Sequence, residues 1–527
     1  MAWNAAWREQ ALPELAAREW DLIVVGGGIS GAGILREAAR RGWRCLLLEQ
    51  RDFAWGTSSR SSKMVHGGLR YIAKGQLGLT RDSVRERQRL LAEAPGLVDP
   101  LGFLFPHYRG RFPGPKVFGG LLAVYDALAG QRNHLYYPLQ QLRYLMPGIR
   151  EDGLDGATRF CDAVTDDARL VLRVLGEARA DGGEALNGVR VVELLREDGR
   201  VVGLVGEDSE SGQRFTFRAS AVAQATGAWA DGLRRKDGPE HIRPLRGSHL
   251  LLPHWRLPLA QALSFMHPED KRPVFVFPWE GATVIGTTDL DHDDGLEHDA
   301  RISPEEVDYL LAACAAQFPG AGIARSDVLS TWAGVRPVVS AGDDSSKPSD
   351  EKREHALWIE PGCVTLAGGK LTTFRLLALE VLRACAGFVG KAVDDQGLAV
   401  FRQASAALPG LSPAMRQRLA GRHGPALPRL AQLLAELGGE RIGSSDTLWA
   451  ELALACDEEL VLHLDDLLLR RTRIGLLLPG GAAAELPRIR ALCQARLGWS
   501  DAQWQAEQNR YLALWQNSYS LPANPHE

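Results

Sequence analysis

The sequence predicts an α/β and α+β protein: a composite unit on a parallel sheet, a second unit on an antiparallel sheet, and an all-helical C-terminal domain. Three observations predict it. Residues 21–25 (Asp-Leu-Ile-Val-Val) form a short apolar run into Gly26-Gly27-Gly28-Ile29-Ser30-Gly31, then a helical stretch to Arg41 and a second apolar run, Cys45–Leu48, ending at Glu49. That is strand, turn, helix, strand, and uninterrupted apolar strands mark a parallel sheet covered on both faces. Strand-like runs and a hairpin recur between residues 188 and 287, and from about residue 400 Leu, Ala and Arg dominate while strand signals vanish.

The elements follow in order. Residues 1–20 read as a helical segment with Trp3 and Trp7 four apart on one face. Packing onto the chain's own domain is the plainer reading, and an anchor at a lipid interface is the alternative. A Gly-, Ser- and Thr-rich loop covers 56–68, 81–93 is a charged helix, and 95–160 holds short elements between Pro and Gly turns. A helix is expected over 162–180, with Leu170, Leu172, Val174 and Leu175 as its apolar stripe. Strands follow at 188–195, 201–207, 214–218 and 221–223, the last closing on Ala225-Thr226-Gly227. Runs at 274–277 and 283–287 flank Trp279-Glu280-Gly281 as a hairpin. Pro304 opens a helix to 318, since proline suits a first helical turn. A charged loop, 342–355, precedes a strand at 364–367, the Gly368-Gly369 turn and a helix over 371–389. The parallel-sheet unit takes 21–85, 155–245 and 315–395, the antiparallel unit 86–154 and 246–314, and the helical domain 400–527.

Composition narrows the function classes. The chain has 527 residues, 45% hydrophobic and 24% charged, with a net charge of −4. No basic field argues for nucleic acid. Seven scattered cysteines without a C-x-x-C pair argue against disulfides and metal, and for a reducing, cytoplasmic setting. Charges at Arg8, Glu9, Glu14, Arg18 and Glu19 break any signal-peptide core, and no apolar stretch reaches the roughly 18 residues that span a bilayer. The chain therefore reads as cytoplasmic, or as peripheral on the inner face of the cytoplasmic membrane. The basic-tipped stretch from Leu464 to Arg473 caps its own domain or a partner, with contact to anionic lipid as the alternative.

The glycine turn carries the first chemistry. In Gly26-x-Gly28-x-x-Gly31 one glycine permits the tight turn, one lets the backbone approach a pyrophosphate, and one allows close helix–strand packing. A pyrophosphate there meets the free N–H groups and positive end of the helix. Glu49, 18 residues past Gly31, ends the second strand, where a carboxylate accepts ribose hydroxyls and repels a 2′-phosphate. FAD is favoured over NAD by the site's early position, by Ala225-Thr226-Gly227, and by the glycine turn at 367–373, whose helix N-terminus can stabilise negative charge on a reduced flavin ring.

The segment Thr57-Ser58-Ser59-Arg60-Ser61-Ser62-Lys63-Met64-Val65-His66-Gly67-Gly68-Leu69-Arg70-Tyr71 resembles a signature of the flavin-linked glycerol-3-phosphate dehydrogenases. Matching stretches follow in the same order at 166–170, 247–249, 277–279, 285–289, 334–337 and 368–373, so the resemblance covers about residues 20 to 390 and extends into the helical domain. It implies a composite Rossmann-like FAD domain, an antiparallel-sheet substrate domain and a C-terminal helical domain. It further implies hydride transfer from C2 of sn-glycerol 3-phosphate to FAD, giving dihydroxyacetone phosphate, with electrons passing to a quinone or, as a glycerophosphate oxidase, to oxygen. Ser30, Thr57, Ser58, Ser62, Lys63, His66, Gly67, Gly334, Gly369, Lys370, Leu371 and Thr372 join the glycines, Glu49 and residues 225–227 as expected cofactor contacts. Arg60 stands where many members carry a small residue.

Substrate chemistry adds its own candidates. A phosphomonoester carries about −1.5 to −2 charge at neutral pH and needs convergent cations, with Arg suited by its planar fork. Arg70, Arg336 and Lys370 are the expected clamp, Arg353 a weaker member, and Tyr71 an orienting contact. Loss of the C2 hydroxyl proton calls for a base, and His66 and His249 are the candidates. Arg336 or Lys370 can instead stabilise a developing alkoxide. An amine or amino-acid oxidase is the competing class, and a flavin-binding scaffold a further one. A homodimer and a peripheral lipid contact stay open as partners.

Overall fold

The computed structural model describes residues 3–69, 72, 75–234, 241–340 and 355–523. The strand Glu19–Val25 lies at the centre of the first sheet because every residue but its first is buried. It pairs in parallel with Cys45–Leu48 on one side and Arg214–Gln224 on the other. Glu184–Leu186 and Cys363–Ala367 extend the parallel array outward, and Ala356–Glu360 closes one edge antiparallel. Alternate residues serve opposite cores, as the two-residue strand period requires. Leu22 and Val24 pack with helices Ile29–Ala39, Asp167–Ala180 and Phe374–Val389. Ile23 and Val25 pack with Leu204, Phe217 and the N-terminal helix.

The strands Val189–Glu197 and Arg200–Asp208 form an antiparallel flap that continues into Arg214–Gln224. Two strands were expected at 214–218 and 221–223. The polar Arg218 and Ser220 break the apolar run there, but the chain stays extended, paired antiparallel in its first half and parallel in its second. The expected helix over 162–180 also begins later. Leu154–Thr165 is a strand, and Asp166 caps the helix Asp167–Ala180 by accepting from Arg169 N.

The second sheet is antiparallel apart from one parallel pair, Ala262–Met266 beside Val98–Tyr108. It runs from Met64–Val65 through Leu154–Thr165 and Val98–Tyr108 to the hairpin Pro273–Trp279 and Ala282–Gly286, then His241–Pro253. Ser330–Ser340 pairs with His241–Pro253 along its whole length. Strands at 64–65, 154–165 and 330–340 thus belong to this sheet, which moves the expected unit boundaries: sequence order alone does not tell which sheet a long apolar strand joins. Beyond residue 400 the described elements are helices, including Pro413–His423, Trp449–Glu458 and Asp501–Ser518, with one isolated bridge between Arg441 and Leu448.

The N-terminal helix and the stretch from Leu464 to Arg473 both pack onto the protein itself. Trp3 is buried against Phe53 at 5.4 Å, and the Arg179 guanidinium covers Trp3 and Trp7 at 4.5 and 5.3 Å. In the stretch Leu464 to Arg473, the arginines at 470, 471 and 473 are buried against carboxylates. A lipid contact through them is ruled out, because guanidiniums paired inside the protein face no headgroup. Among the described residues no helix is long and apolar enough to cross a membrane.

Arg8 on the N-terminal helix Ala5–Ala16 donates to Asp208 at 2.6 Å and to the main chain of Asn187 and Gly188. Both side chains are almost fully buried. Arg8→Ala leaves Asp208 with only Ser211 N and Oγ as donors and is expected to cost about 1.5–3 kcal/mol, read as a fall in the denaturant midpoint.

Candidate active site

A cavity of about 610 Å³ opens where the first sheet's central strands end, the position at which open parallel sheets bind ligands. Its floor is the glycine turn. Gly26 takes φ +108°, and a Cβ on Gly31 would lie 1.8 Å from the Gly26 carbonyl oxygen, so only glycine permits the turn to fold back on itself. Helix Ile29–Ala39 begins here with Gly28 as an N-cap that offers no side chain, while Ser58 Oγ accepts from Ile29 N at 3.0 Å. Unspent N–H donors at a helix start suit an anion.

Gly26, Gly28, Ser30, Glu49, Thr57 and Ser58 line this end. Glu49 Oε2 accepts Gly27 N at 2.5 Å and Oε1 accepts Arg51 N at 2.9 Å. Burial pushes its carboxyl above the usual range, with those two main-chain donors pulling back. Val189, Val191 and Val192 form an apolar wall, and the rings of Trp55 and Trp229, 5.5 Å apart, form another. Ala225 and Thr226 lie directly beside Gly26, and Gly227, Gly369, Lys370 and Leu371 complete the lining. Thr226 Oγ1 is buried there and has no hydrogen-bond partner among the described residues.

The loop at 57–67, which lines the cavity through Thr57, Ser58 and Ser61, runs back to the second sheet. Ser62 Oγ lies 2.9 Å from His249 Nε2, and the His249 ring stacks on Trp332 at 4.8 Å. Burial, with Lys63 and Arg336 nearby, holds the His249 imidazole well below its ordinary range. Arg336 donates to Asp289 at 2.9 Å and more weakly to Thr287 Oγ1. It borders the cavity through its neighbours: Thr57 Oγ1 donates to Val335 O at 2.5 Å, and Pro337 lines the wall.

This cleft, with a glycine floor, the buried acid Glu49 and Arg190, Arg214 and Lys370 in its lining, fits an extended dinucleotide such as FAD; its volume lies in the usual range for cofactor sites. The family described as FAD dependent oxidoreductase matches residues 21–375, and the C-terminal domain of alpha-glycerophosphate oxidase matches 366–504. Glycerol-3-phosphate dehydrogenase 2 of Mycobacterium tuberculosis is 33% identical over 100% of this chain and 93% of its own. Aerobic glycerol-3-phosphate dehydrogenase of Bacillus subtilis is 36% identical over 71% of this chain and 68% of its own. The glycerol-3-phosphate dehydrogenase from Bacillus halodurans, solved with FAD, superposes with a TM-score of 0.79 at 28% identity, covering 98% of each chain.

The chain belongs to the FAD-dependent glycerol-3-phosphate dehydrogenase family.

Several expected contacts of this family member stand behind the cavity wall rather than in it. Lys63 is corrected most clearly. Its ammonium is wholly buried, donates to Asp167 at 2.9 Å and to Ser59 O at 2.9 Å, and lies over the Trp279 and Trp332 rings. Burial pushes it down to about 8, against the pull of Asp167. Gly67 N donates to Tyr125 OH and Asp162, and Gly334 packs against the Arg60 carbonyl. Thr372 Oγ1 joins the His66 main chain at N and O, both 3.2 Å, so it places His66 rather than lining the cleft. Ser62, His66 and Gly31 are likewise absent from the lining. Arg70, Tyr71 and Arg353 lie outside the described residues.

Sequence reasoning missed the aromatic wall of Trp55 and Trp229 and the carboxylate Asp167 that fixes the signature loop. Tryptophans carry no positional signal, and Asp167 shows only as part of Asp166-Asp167 in the recurring motif. Arg60 pairs with Asp299 at 2.6 Å, which accounts for a large residue at that place.

Gly31→Ala is expected to give a folded chain without the visible flavin absorbance on purification, since its Cβ has no room over the Gly26 carbonyl. His249 gives a pH signature. Its native form stays neutral where the unfolded one, at ~6.5, takes up a proton, so the contribution is complete above that value and is lost as pH falls toward the depressed native one. His249→Gln is expected to show a smaller fall in unfolding midpoint than the parent between about pH 7 and about pH 5.

Proposed function

We propose that this chain oxidises sn-glycerol 3-phosphate at C2 to dihydroxyacetone phosphate and delivers the electrons to a quinone dissolved in a membrane. The observation that carries the reading is a flavin-type cavity bordered by two cationic side chains from separate elements, Lys370 in the lining at the turn after the strand Cys363–Ala367 and Arg336 beside it on the strand Ser330–Ser340. Such a pair matches a phosphomonoester, whereas an amine or amino-acid substrate calls for a carboxylate clamp with an apolar flank. Bound FAD supplies the acceptor for the substrate hydride. Gly26, Gly28 and Ser30 would hold its pyrophosphate against the helix start, Glu49 its ribose hydroxyls, and Ala225, Thr226, Gly227 and Leu371 the rest of its length.

The chain's own residues then bind and orient. Arg336 and Lys370 grip the phosphate, and Asp289 keeps the Arg336 guanidinium turned toward the strand end. His249 takes the C2 hydroxyl proton. A neutral imidazole is a competent acceptor, and its Nδ1 is buried with no hydrogen-bond partner among the described residues while Ser62 fixes Nε2. His66, placed by Thr372, is the second candidate for that proton.

A specific surface favours quinone over oxygen. Helix Pro115–Ala129 buries Phe118, Leu122 and Tyr125, yet its outward face is also apolar, with Val117 and Val124 exposed and Phe112 beside it 84% exposed. A surface helix with no polar face asks for a cover. Arg109, Arg111, Lys116 and Arg132 are exposed around it. The one carboxylate between 109 and 132, Asp126, is buried and accepts from Asn133 N and His134. A basic rim around an apolar patch matches an anionic bilayer surface.

Mixing the FAD-loaded chain anaerobically with sn-glycerol 3-phosphate is expected to bleach the flavin band; no bleaching, with bleaching by an amino acid instead, overturns the reading. Arg336→Leu is expected to lower kcat/KM by about a hundredfold or more, two lost charge-assisted contacts at about 1.4 kcal/mol per tenfold. Val117→Glu with Val124→Glu is expected to weaken binding to anionic vesicles at least about tenfold, the cost of unburying about two valines, and to leave turnover with a soluble quinone analogue unchanged. Peroxide formed in place of reduced quinone moves the acceptor to oxygen.

A further inference from the structure

Two loops that line the cavity are fastened from behind by one short segment of the helical domain. Asp466–Arg471 is a π-helix, a wide turn that often marks a functional site. Arg470, Arg471 and, just past it, Arg473 all point inward and are buried. Arg471 grips Asp52 with both prongs, 2.7 Å to Oδ2 and 2.8 Å to Oδ1, and Arg470 Nε adds 2.5 Å to Oδ2. Asp52 stands in the turn between Glu49 and Trp55, two lining residues. That turn is closed onto the glycine floor at one residue: Ala54 N donates to Gly27 O at 3.0 Å, and Glu49 accepts Gly27 N.

Arg473 serves the other loop. It donates to Ser59 O at 3.2 Å and pairs with Asp167, whose Oδ2 accepts Ser61 N and Oγ at 3.0 and 2.7 Å. Ser61 lines the cavity, and none of the three arginines does. A buried guanidinium fork fixes distance and direction together, and each of these carboxylates would be costly to leave unpaired.

We infer that Arg470, Arg471 and Arg473 are positioning residues for FAD: the helical domain sets the pose of both cavity loops, so FAD binding and the order of residues 466–473 are coupled. This rests on FAD occupying the cavity and is independent of which substrate it oxidises. Coupling between two sites is reciprocal, so FAD must tighten the distant segment as much as the segment tightens FAD.

The test is hydrogen exchange on the full chain stripped of FAD, with and without added FAD. The inference expects amides in 466–473 to slow several-fold on FAD addition, while helix Leu427–Leu437 of the same domain stays unchanged. It also expects Asp52→Asn and Arg471→Lys to raise the FAD Kd by about tenfold or more in a flavin-fluorescence titration. Arg496→Gln, which breaks a pair with Asp457 in the same domain and shares no partner with the three arginines, is expected to lower stability and leave FAD affinity unchanged. Slowed exchange at 26–31 and 50–61 with none at 466–473 overturns the inference and leaves FAD binding standing, and so does parental affinity in the variants. Should the variants not fold, the parent exchange result decides alone. No slowing anywhere removes the FAD reading and this inference with it.

Discussion

At the glycine turn two main chains come within contact distance, and most of the molecule is arranged around that approach. Gly31 faces the Gly26 carbonyl with no space for a side chain. Gly27 is held on both sides, its N–H by Glu49 and its carbonyl by Ala54. The turn therefore fixes the strand Glu19–Val25, the start of helix Ile29–Ala39 and the loop after Cys45–Leu48 in one geometry. What remains open between them is the helix N-terminus, whose unspent donors and positive end make the site anionic in preference.

The cavity wall at Ser61 is organised by charge. Lys63, Asp166, Asp167, Arg422 and Arg473 form a buried network between the signature loop, the first sheet's helix and the C-terminal domain. Arg473 and Arg422 hold Asp166 far below the carboxylate range against the cost of its burial. Networks of this kind add little net stability over apolar packing, yet leaving any member unpaired is expensive. Their effect is specificity of arrangement: they place Ser61, and with it the cavity wall, to within hydrogen-bond tolerance.

Legibility in the sequence followed locality. The strand–turn–helix of residues 21–41 is a contiguous pattern with a single physical explanation, and it stands as read. The signature loop at 57–71 is also contiguous, but which of its side chains face the cavity depends on partners up to hundreds of residues away. Lys63 reads as a cofactor contact until Asp167 is seen beneath it. The arginines near 470 read as a cap on their own domain or a partner, but nothing local points to Asp52, more than 400 residues earlier, which lies between them. Long strands such as Leu154–Thr165 gave no hint of which sheet they join, because alternation encodes burial and not neighbour. Exposed apolar residues of helix Pro115–Ala129 were invisible for the opposite reason: both faces are apolar, so composition alone suggests a core helix.

The central claim is a cavity in which FAD lies between the glycine turn and a phosphate grip formed by Arg336 and Lys370. A crystal structure of the chain with FAD and a non-oxidisable phosphomonoester measures it directly. Phosphate oxygens are expected within about 2.7–3.2 Å of both the Arg336 guanidinium and the Lys370 ammonium. A phosphate bound elsewhere, beyond reach of both cations, would contradict it.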